Sequence, residues 1–285
     1  MRVTVVTSCS KEGYKAYGYR FIKSFDLFWP KDIDLYIVSE DASDIPEFTS
    51  QHRNIHKLNL YQVSRYASEF HEQHVDNLEA HGKGADARDP KHNRHWRTGY
   101  NFRKDAYKFS KKVFAIGAVA ERVVNGRLIW LDADVFTFDN VPLDIFKQLP
   151  PDSYCLAYLD RGEYHSECGV VAYNLDCPET HQFITRFVEL YHSGEVFQLK
   201  EWHDSWVFDW LRYQTNIRSW QIPYKGVSKT PFDNSELGKY MMHLKGSRKT
   251  LAGVRGISAI AAYRVRQIDN LIKQSRLDNL DKIKG

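Results

Sequence analysis

The sequence predicts an α/β protein, a mostly parallel sheet flanked by helices with a C-terminal helical tail, and three observations predict it. Short runs rich in β-branched and aromatic residues alternate with longer runs of helical period. The 285 residues, 42% of them apolar, suffice for one large domain with its own core. A strongly apolar run, Arg127 to Leu131, stops at two carboxylates, and open α/β sheets bind ligands at such strand ends.

Taken in order, Arg2 to Thr7 reads as a first buried strand, Tyr14 to Phe28 as a helix stopped at Pro30, and Asp34 to Val38 as a second strand. Asn54 to Leu60 reads as a third. Residues 62–98 break the pattern, with His71, His74, His81, His92 and His95 among Gly82, Gly84, Pro90 and many charges, which predicts an insertion or mobile lid. Asn101 to Glu121 restores a helical period, with Phe102, Ala106, Phe109, Val113, Ile116 and Ala120 inward. After Arg127 to Leu131, strands are expected at Tyr154 to Tyr158, Val170 to Tyr173, Trp220 to Ile222 and Tyr240 to Leu244, with helices at Glu179 to His192 and Trp202 to Gln214. Trp202, Trp206 and Trp210 share one helical face, for which core packing is the default use.

This divides the chain into a catalytic domain over 1–250 and a tail over 251–285. The tail's stripe of Ile257, Ile260, Ala261, Val265, Ile268, Leu271 and Ile272 lies beside a basic face, and docking onto the main domain is the common fate of such a helix. Residues 245–285 carry ten Lys or Arg against three Asp, so peripheral contact with an anionic membrane is the other use open to it. The net charge of +4 is too small to argue for nucleic acid. No run approaches the roughly 20 apolar residues of a membrane span, and no signal peptide or anchor is read. The four cysteines, Cys9, Cys155, Cys168 and Cys177, are scattered without a C-x-x-C pair, which argues against zinc or a disulfide framework and for a reducing cytoplasm.

Asp132-Ala133-Asp134 closes the apolar strand, and an extended backbone there points both carboxylates the same way. Two hard oxygen donors suit Mg²⁺ or Mn²⁺ bridging a diphosphate; an Asx turn with a helix cap ahead of Val141-Pro142 is the bland alternative. The strand with its Asp-x-Asp resembles the D-x-D motif of glycosyltransferases of the GT-A type, and His243-Leu-Lys-Gly246-Ser-Arg-Lys249 resembles the H-x-x-G-x-x-K of their glycogenin and bacterial galactosyltransferase group. The resemblance covers roughly residues 1–250 at motif level and implies a GT-A, Rossmann-like fold. It further implies Asp132, Asp134 and His243 as ligands of Mn²⁺ (or Mg²⁺), Gly246 and Lys249 on the diphosphate, and a nucleotide-sugar donor with UDP first. The chain departs from the group at Thr250-Leu251, where Pro-Trp often follows.

The same resemblance places Thr7 and Ser8 at the nucleoside, Arg103 or Lys104 at phosphate, and Asp105 at the ribose or base; solvated charges at a helix start explain the last three equally well. The run from Glu167 to Asn174 looks like the family's N-x-G-V strand with Glu167 in place of Asn, which supplies a carboxylate for catalysis or sugar selection. Asp204, in Trp202-His203-Asp204-Ser205-Trp206, is the leading candidate near the reacting centre, with helix capping as its alternative. The acceptor implied is a carbohydrate, glycolipid or other hydroxyl. Three rivals remain: a haloacid-dehalogenase-like phosphatase using the Asp132 and Asp134 pair, a nucleotidyltransferase lacking the expected Gly-rich loop after its first strand, and a non-catalytic nucleotide- or carbohydrate-binding protein.

Overall fold

The computed structural model describes residues 1–41, 54–226 and 229–245, and in the C-terminal segment residues 263, 265–271 and 273–274. Nine strands are described: β1 (Val3–Cys9), β2 (Asp34–Ser39), β3 (Ile55–Asn59), β4 (Arg127–Leu131), β5 (Val135–Thr137), β6 (Leu156–Arg161), β7 (Tyr164–Asn174), β8 (Ser219–Gln221) and β9 (Met241–His243). Seven form one sheet in the order β3-β2-β1-β4-β7-β6-β8, and β5 pairs with β9 beside it. Four pairings in the main sheet are parallel and two, both involving β7, are antiparallel. The fold is the mostly parallel α/β sheet that the alternating pattern predicts.

Five helices matter to the site: α1 (Tyr19–Phe28), α2 (Arg65–His74), α3 (Ala106–Ala120), α4 (Pro178–His192) and α5 (Asp204–Thr215). Helices α2 to α5 cover one sheet face, where Phe70, Phe114, Phe183 and Phe208 meet Trp130 and Tyr173. Helix α1 covers the other, with Phe21, Phe25 and Trp29 against Ile129 and Phe146. Burying both faces explains why the strands read as continuous apolar runs rather than alternating ones. Trp202 is buried, and Trp206 and Trp210 pack on the same core, as their shared face predicts.

Several elements differ from the sequence reading. The helix expected from Tyr14 begins as a π-helical turn over Tyr14–Gly18, a local widening often found at functional sites. Helix α3 starts at Ala106 because the Asp105 carboxylate caps it, accepting from the Lys108 N–H at 3.0 Å; Phe102, expected inward, is exposed in the turn before it. Strand β7 begins six residues earlier than expected, since hairpin pairing with β6 recruits Tyr164 to Gly169.

The segment 62–98 is not a lid throughout. Helix α2 lies inside it and buries Ala67 and Phe70 against α3 and α4. Phe70 is 1% exposed, with its ring centroid 5.7 Å from that of Phe114. Phe70→Ala is therefore expected to lower unfolding free energy by about 3–5 kcal/mol in urea denaturation, whereas a residue of an unpacked lid would cost under about 0.5 kcal/mol.

Cys155 and Cys177 form a disulfide, tying the start of β6 to the residue that precedes α4. This corrects the expectation of unpaired cysteines and removes the ground for assigning a reducing compartment; sequence separation of 22 residues carried no motif. In the tail, Val265 and Ile268 are buried against Phe136 and Leu244, and Arg20 holds Asp269 at 3.0 Å. The described part of the stripe thus docks on the β5–β9 pair, with Leu271 exposed; Ile257, Ile260, Ala261 and Ile272 lie outside the described residues. Among the described residues no helix is long and apolar enough to cross a membrane.

Candidate active site

Strand order reverses between β1 and β4, and open α/β sheets form a ligand crevice at that point, beyond the carboxyl ends of the strands. Val6 pairs with Trp130, so β1 and β4 run out side by side and bring Ser8 level with Asp132. Asp132 to Val135 is a turn rather than extended chain: the Val135 N–H donates to the Asp132 carbonyl at 2.9 Å, and the Asp132 N–H to the Gly169 carbonyl at 3.0 Å. That turn aims both carboxylates at one imidazole. Pairing of Val135 with His243 in the β5–β9 ladder brings the histidine against Asp134, 109 residues away in sequence.

His243 Nε2 lies 2.9 Å from Asp134 Oδ1 and 3.6 Å from Asp132 Oδ2, and Asp134 and His243 are buried. Neighbouring ligands of an octahedral ion with bonds near 2.1 Å stand about 3 Å apart, so these three donors fit one divalent cation. Two carboxylate oxygens with one imidazole favour Mn²⁺ over Mg²⁺. The turn also answers the bland reading of the Asp pair, because neither carboxylate caps a helix.

Glu167, expected beside the reacting centre, is turned to the far side of the histidine. Its Oε1 lies 3.0 Å from His243 Nδ1, its side chain is 3% exposed, and Lys245 pairs with its other oxygen. A carboxylate there fixes the ring's orientation and leaves Nε2 the nitrogen that faces the Asp pair. Gly169 makes the approach feasible: a Cβ there would meet His243 Nδ1 at 2.3 Å.

Lys112 on α3 reads in the sequence as one of three lysines on an amphipathic helix. Its ammonium bridges Asp132 Oδ1 at 3.0 Å and Asp204 Oδ2 at 2.8 Å, and donates to the Cys168 carbonyl at 2.5 Å. Trp130 Nε1 donates to the same Asp132 oxygen at 2.7 Å, which leaves Oδ2 directed to His243. Burial alone raises the Asp204 carboxyl, but Lys112 and His203 outweigh it and hold the group below the ordinary carboxylate range. Burial likewise opposes the Lys112 charge, and the two aspartates more than restore it. Asp204 does not cap α5; His203 does, accepting weakly from the Trp206 N–H at 3.4 Å.

Thr7 and Ser8 are buried at the end of β1, and the Ser8 hydroxyl donates to Glu40 at 2.6 Å. Burial raises the Glu40 carboxyl, which Ser8 and Lys111 only partly offset. Tyr17 lies on the π turn, and burial, together with Glu40, Asp134, Cys9 and Asp132, pushes its phenol up. Arg103, Lys104 and Asp105 are not in this group. Arg103 lies 3.6 Å from Glu201, Lys104 stacks 4.2 Å over Trp202, and Asp105 caps α3 and accepts from Tyr100 at 2.7 Å. Gly246 and Lys249 lie outside the described residues.

A second trio, His165, Glu201 and His203, also clusters its donor atoms. His203 Nδ1 accepts weakly from the Trp206 N–H at 3.4 Å, and its Nε2 lies 2.9 Å from Glu201. With Arg103 and His165 on the same carboxylate, the trio is an ion-pair network. A cavity of about 1100 Å³ lined by Ile145, Leu149, Trp220, Ile222, Tyr224 and Leu237 contains none of the crevice residues.

Among solved structures, the chain is similar to the apo form of the glycosyltransferase GlyE from Streptococcus pneumoniae TIGR4, at 15% identity and TM-score 0.43 over 78% of this chain and 45% of that one. It is similar to mouse xyloside xylosyltransferase 1, at 11% and 0.45 over 78% and 85%. A third is a glycosyltransferase involved in the glycosylation of the major capsid of PBCV-1, at 12% and 0.45 over 94% and 99%. This chain spans less than half the length of GlyE. No protein-family model and no curated protein matches the chain.

Proposed function

We propose that the protein is a metal-dependent glycosyltransferase that moves a sugar from a nucleoside-diphosphate donor, UDP first among them, to a hydroxyl of a carbohydrate or glycolipid acceptor. The observation that carries the proposal is the convergence of Asp132, Asp134 and His243 in the crevice between β1 and β4, joined through Lys112 to Asp204. The motif resemblance of those residues agrees with it.

Asp132, Asp134 and His243 would hold Mn²⁺ or Mg²⁺, which supplies Lewis-acid stabilisation of the departing diphosphate. Glu167 orients His243. Ser8, Glu40 and Tyr17 line the nucleoside side, and Lys112 fixes one oxygen of Asp132 while keeping Asp204 ionised. A general base works best with a pKa near the working pH, and Asp204 is held far below it. Its role is instead a fixed negative charge opposite the positive charge that develops on the sugar as the diphosphate leaves.

Release of nucleoside diphosphate from UDP-, GDP-, ADP- and CMP-sugars, with and without Mn²⁺, tests the proposal because slow donor hydrolysis needs no acceptor. Cleavage of one nucleotide class only with the ion is the expected result. Hydrolysis of simple phosphomonoesters with no cleavage of any donor would replace the reading with the phosphatase. Glu167→Gln is expected to weaken Mn²⁺ binding by about tenfold while leaving the fold intact, since loss of a ligand-orienting carboxylate costs affinity at this level; titration of the variant with Mn²⁺ at constant pH checks it.

A further inference from the structure

The segment between α2 and α3 carries a charge that the crevice does not use. Residues 83–104 contain seven Lys or Arg against two Asp, a local excess of +5, while the whole chain carries only +4. Lys83, Arg88, Lys91, Arg94 and Arg97 are exposed, and none of them joins an acidic partner among the described ion pairs. Holding like charges together on an ordered surface costs free energy unless an anion sits against them. The segment is ordered by a buried polar centre: Asn93, 5% exposed, donates from Nδ2 to the Ala87 carbonyl at 2.7 Å and to the Tyr100 carbonyl at 3.0 Å. Two aromatic rings, Trp96 at 40% and Phe102 at 39% exposure, stand among the charges.

Its attachment places this surface beside the candidate active site. The Trp202 N–H donates to the Arg103 carbonyl at 2.7 Å, and the Phe102 ring packs 5.6 Å from His203. Asp204, the next residue, is the carboxylate bound to Lys112. The C-terminal end of the basic segment therefore abuts the residues that directly precede Asp204.

We propose that this surface binds the acceptor and that the acceptor is an acidic glycan, bearing carboxylates or phosphates that the exposed arginines and lysines pair with while Trp96 and Phe102 stack on sugar faces. The inference rests on the glycosyltransferase reading. Guanidinium groups suit planar carboxylates and phosphates, and exposed aromatic rings suit the apolar faces of sugars, a combination that favours a charged oligosaccharide over a lipid headgroup layer.

The test compares binding of oligogalacturonate with that of its methyl ester, which keeps the backbone and removes the charge, and of phosphatidylglycerol vesicles. The wild-type chain and an Arg94→Glu/Arg97→Glu variant are measured at two salt concentrations, alongside Mn²⁺-dependent donor hydrolysis. The acidic oligomer is expected to bind at least about tenfold more tightly than the ester, to weaken with salt, and to lose about tenfold in the variant, whose donor hydrolysis stays unchanged. Equal binding of oligomer and ester, oligomer binding unaffected by charge reversal, or vesicle binding without oligomer binding would overturn the acceptor proposal. Donor hydrolysis in the wild-type chain decides the glycosyltransferase reading separately, so the two failures are distinguishable.

Discussion

Asp134→Ala is expected to abolish nearly all metal-dependent cleavage of the donor, lowering its rate by about 10³-fold or more, the scale of losing a charge-stabilising group at a reacting centre. Asp134 is the closer of the two carboxylates to His243, at 2.9 Å, and it is buried, so no water-exposed neighbour replaces its oxygen. Its backbone carbonyl, which accepts from Leu244 at 3.1 Å, is untouched by the substitution. The fold is retained, and thermal unfolding of the variant without metal within a few degrees of wild type accompanies the lost activity. A variant that cleaves the donor at more than a tenth of the wild-type rate would remove Asp134 from the centre.

Lys112→Met is expected to harm both stability and activity. The substitution preserves the stem and removes the ammonium, leaving Asp204, with a side chain 9% exposed, and Asp132 without their shared cation. Breaking a buried ion pair on one side costs about 3–5 kcal/mol. The pH dependence has a definite sign. The folded-state pKa of Asp204 is depressed below its unfolded value, so its contribution is present above roughly pH 4 and disappears as pH falls through the folded value. Without Lys112 the burial that raises this carboxyl is unopposed by its largest counterweight. The deficit of the variant is therefore largest at neutral pH and shrinks in acid as Asp204 takes up a proton. Urea denaturation at pH 7 and pH 4 checks this; an equal deficit at both would mean that the ammonium acts through packing alone. Activity falls by about 10²-fold, because Asp132 loses one of the two donors that set its direction.

The fold was largely legible because burial on both faces of a parallel sheet leaves apolar runs that need no partner to be recognised: Val3 to Thr7, Leu35 to Val38 and Leu128 to Leu131 each announce a strand. Asp132 and Asp134 were legible from one such run ending abruptly, and His243 from its motif. What escaped depends on contacts between distant segments. Lys112 reads as a solvated helix lysine until α3 is laid across β4, and Glu167 reads as a catalytic carboxylate until β9 brings His243 against it. The π turn that presents Tyr17, and the pairing of Cys155 with Cys177, leave no periodic or spacing signal. Arg103, Lys104 and Asp105 look poised for a nucleotide in sequence, whereas in the fold Asp105 caps α3 and the other two face Glu201 and Trp202.

Calorimetric titration of UDP into the full chain, with Mn²⁺ and then with the ion removed by chelation, tests most directly whether Asp132, Asp134 and His243 form a metal centre for a nucleoside diphosphate. The account predicts one UDP bound per chain with Mn²⁺ and at least about a hundredfold weaker binding after chelation, since the crevice's own carboxylates repel an unaccompanied diphosphate. Equal affinity with and without the ion would contradict it.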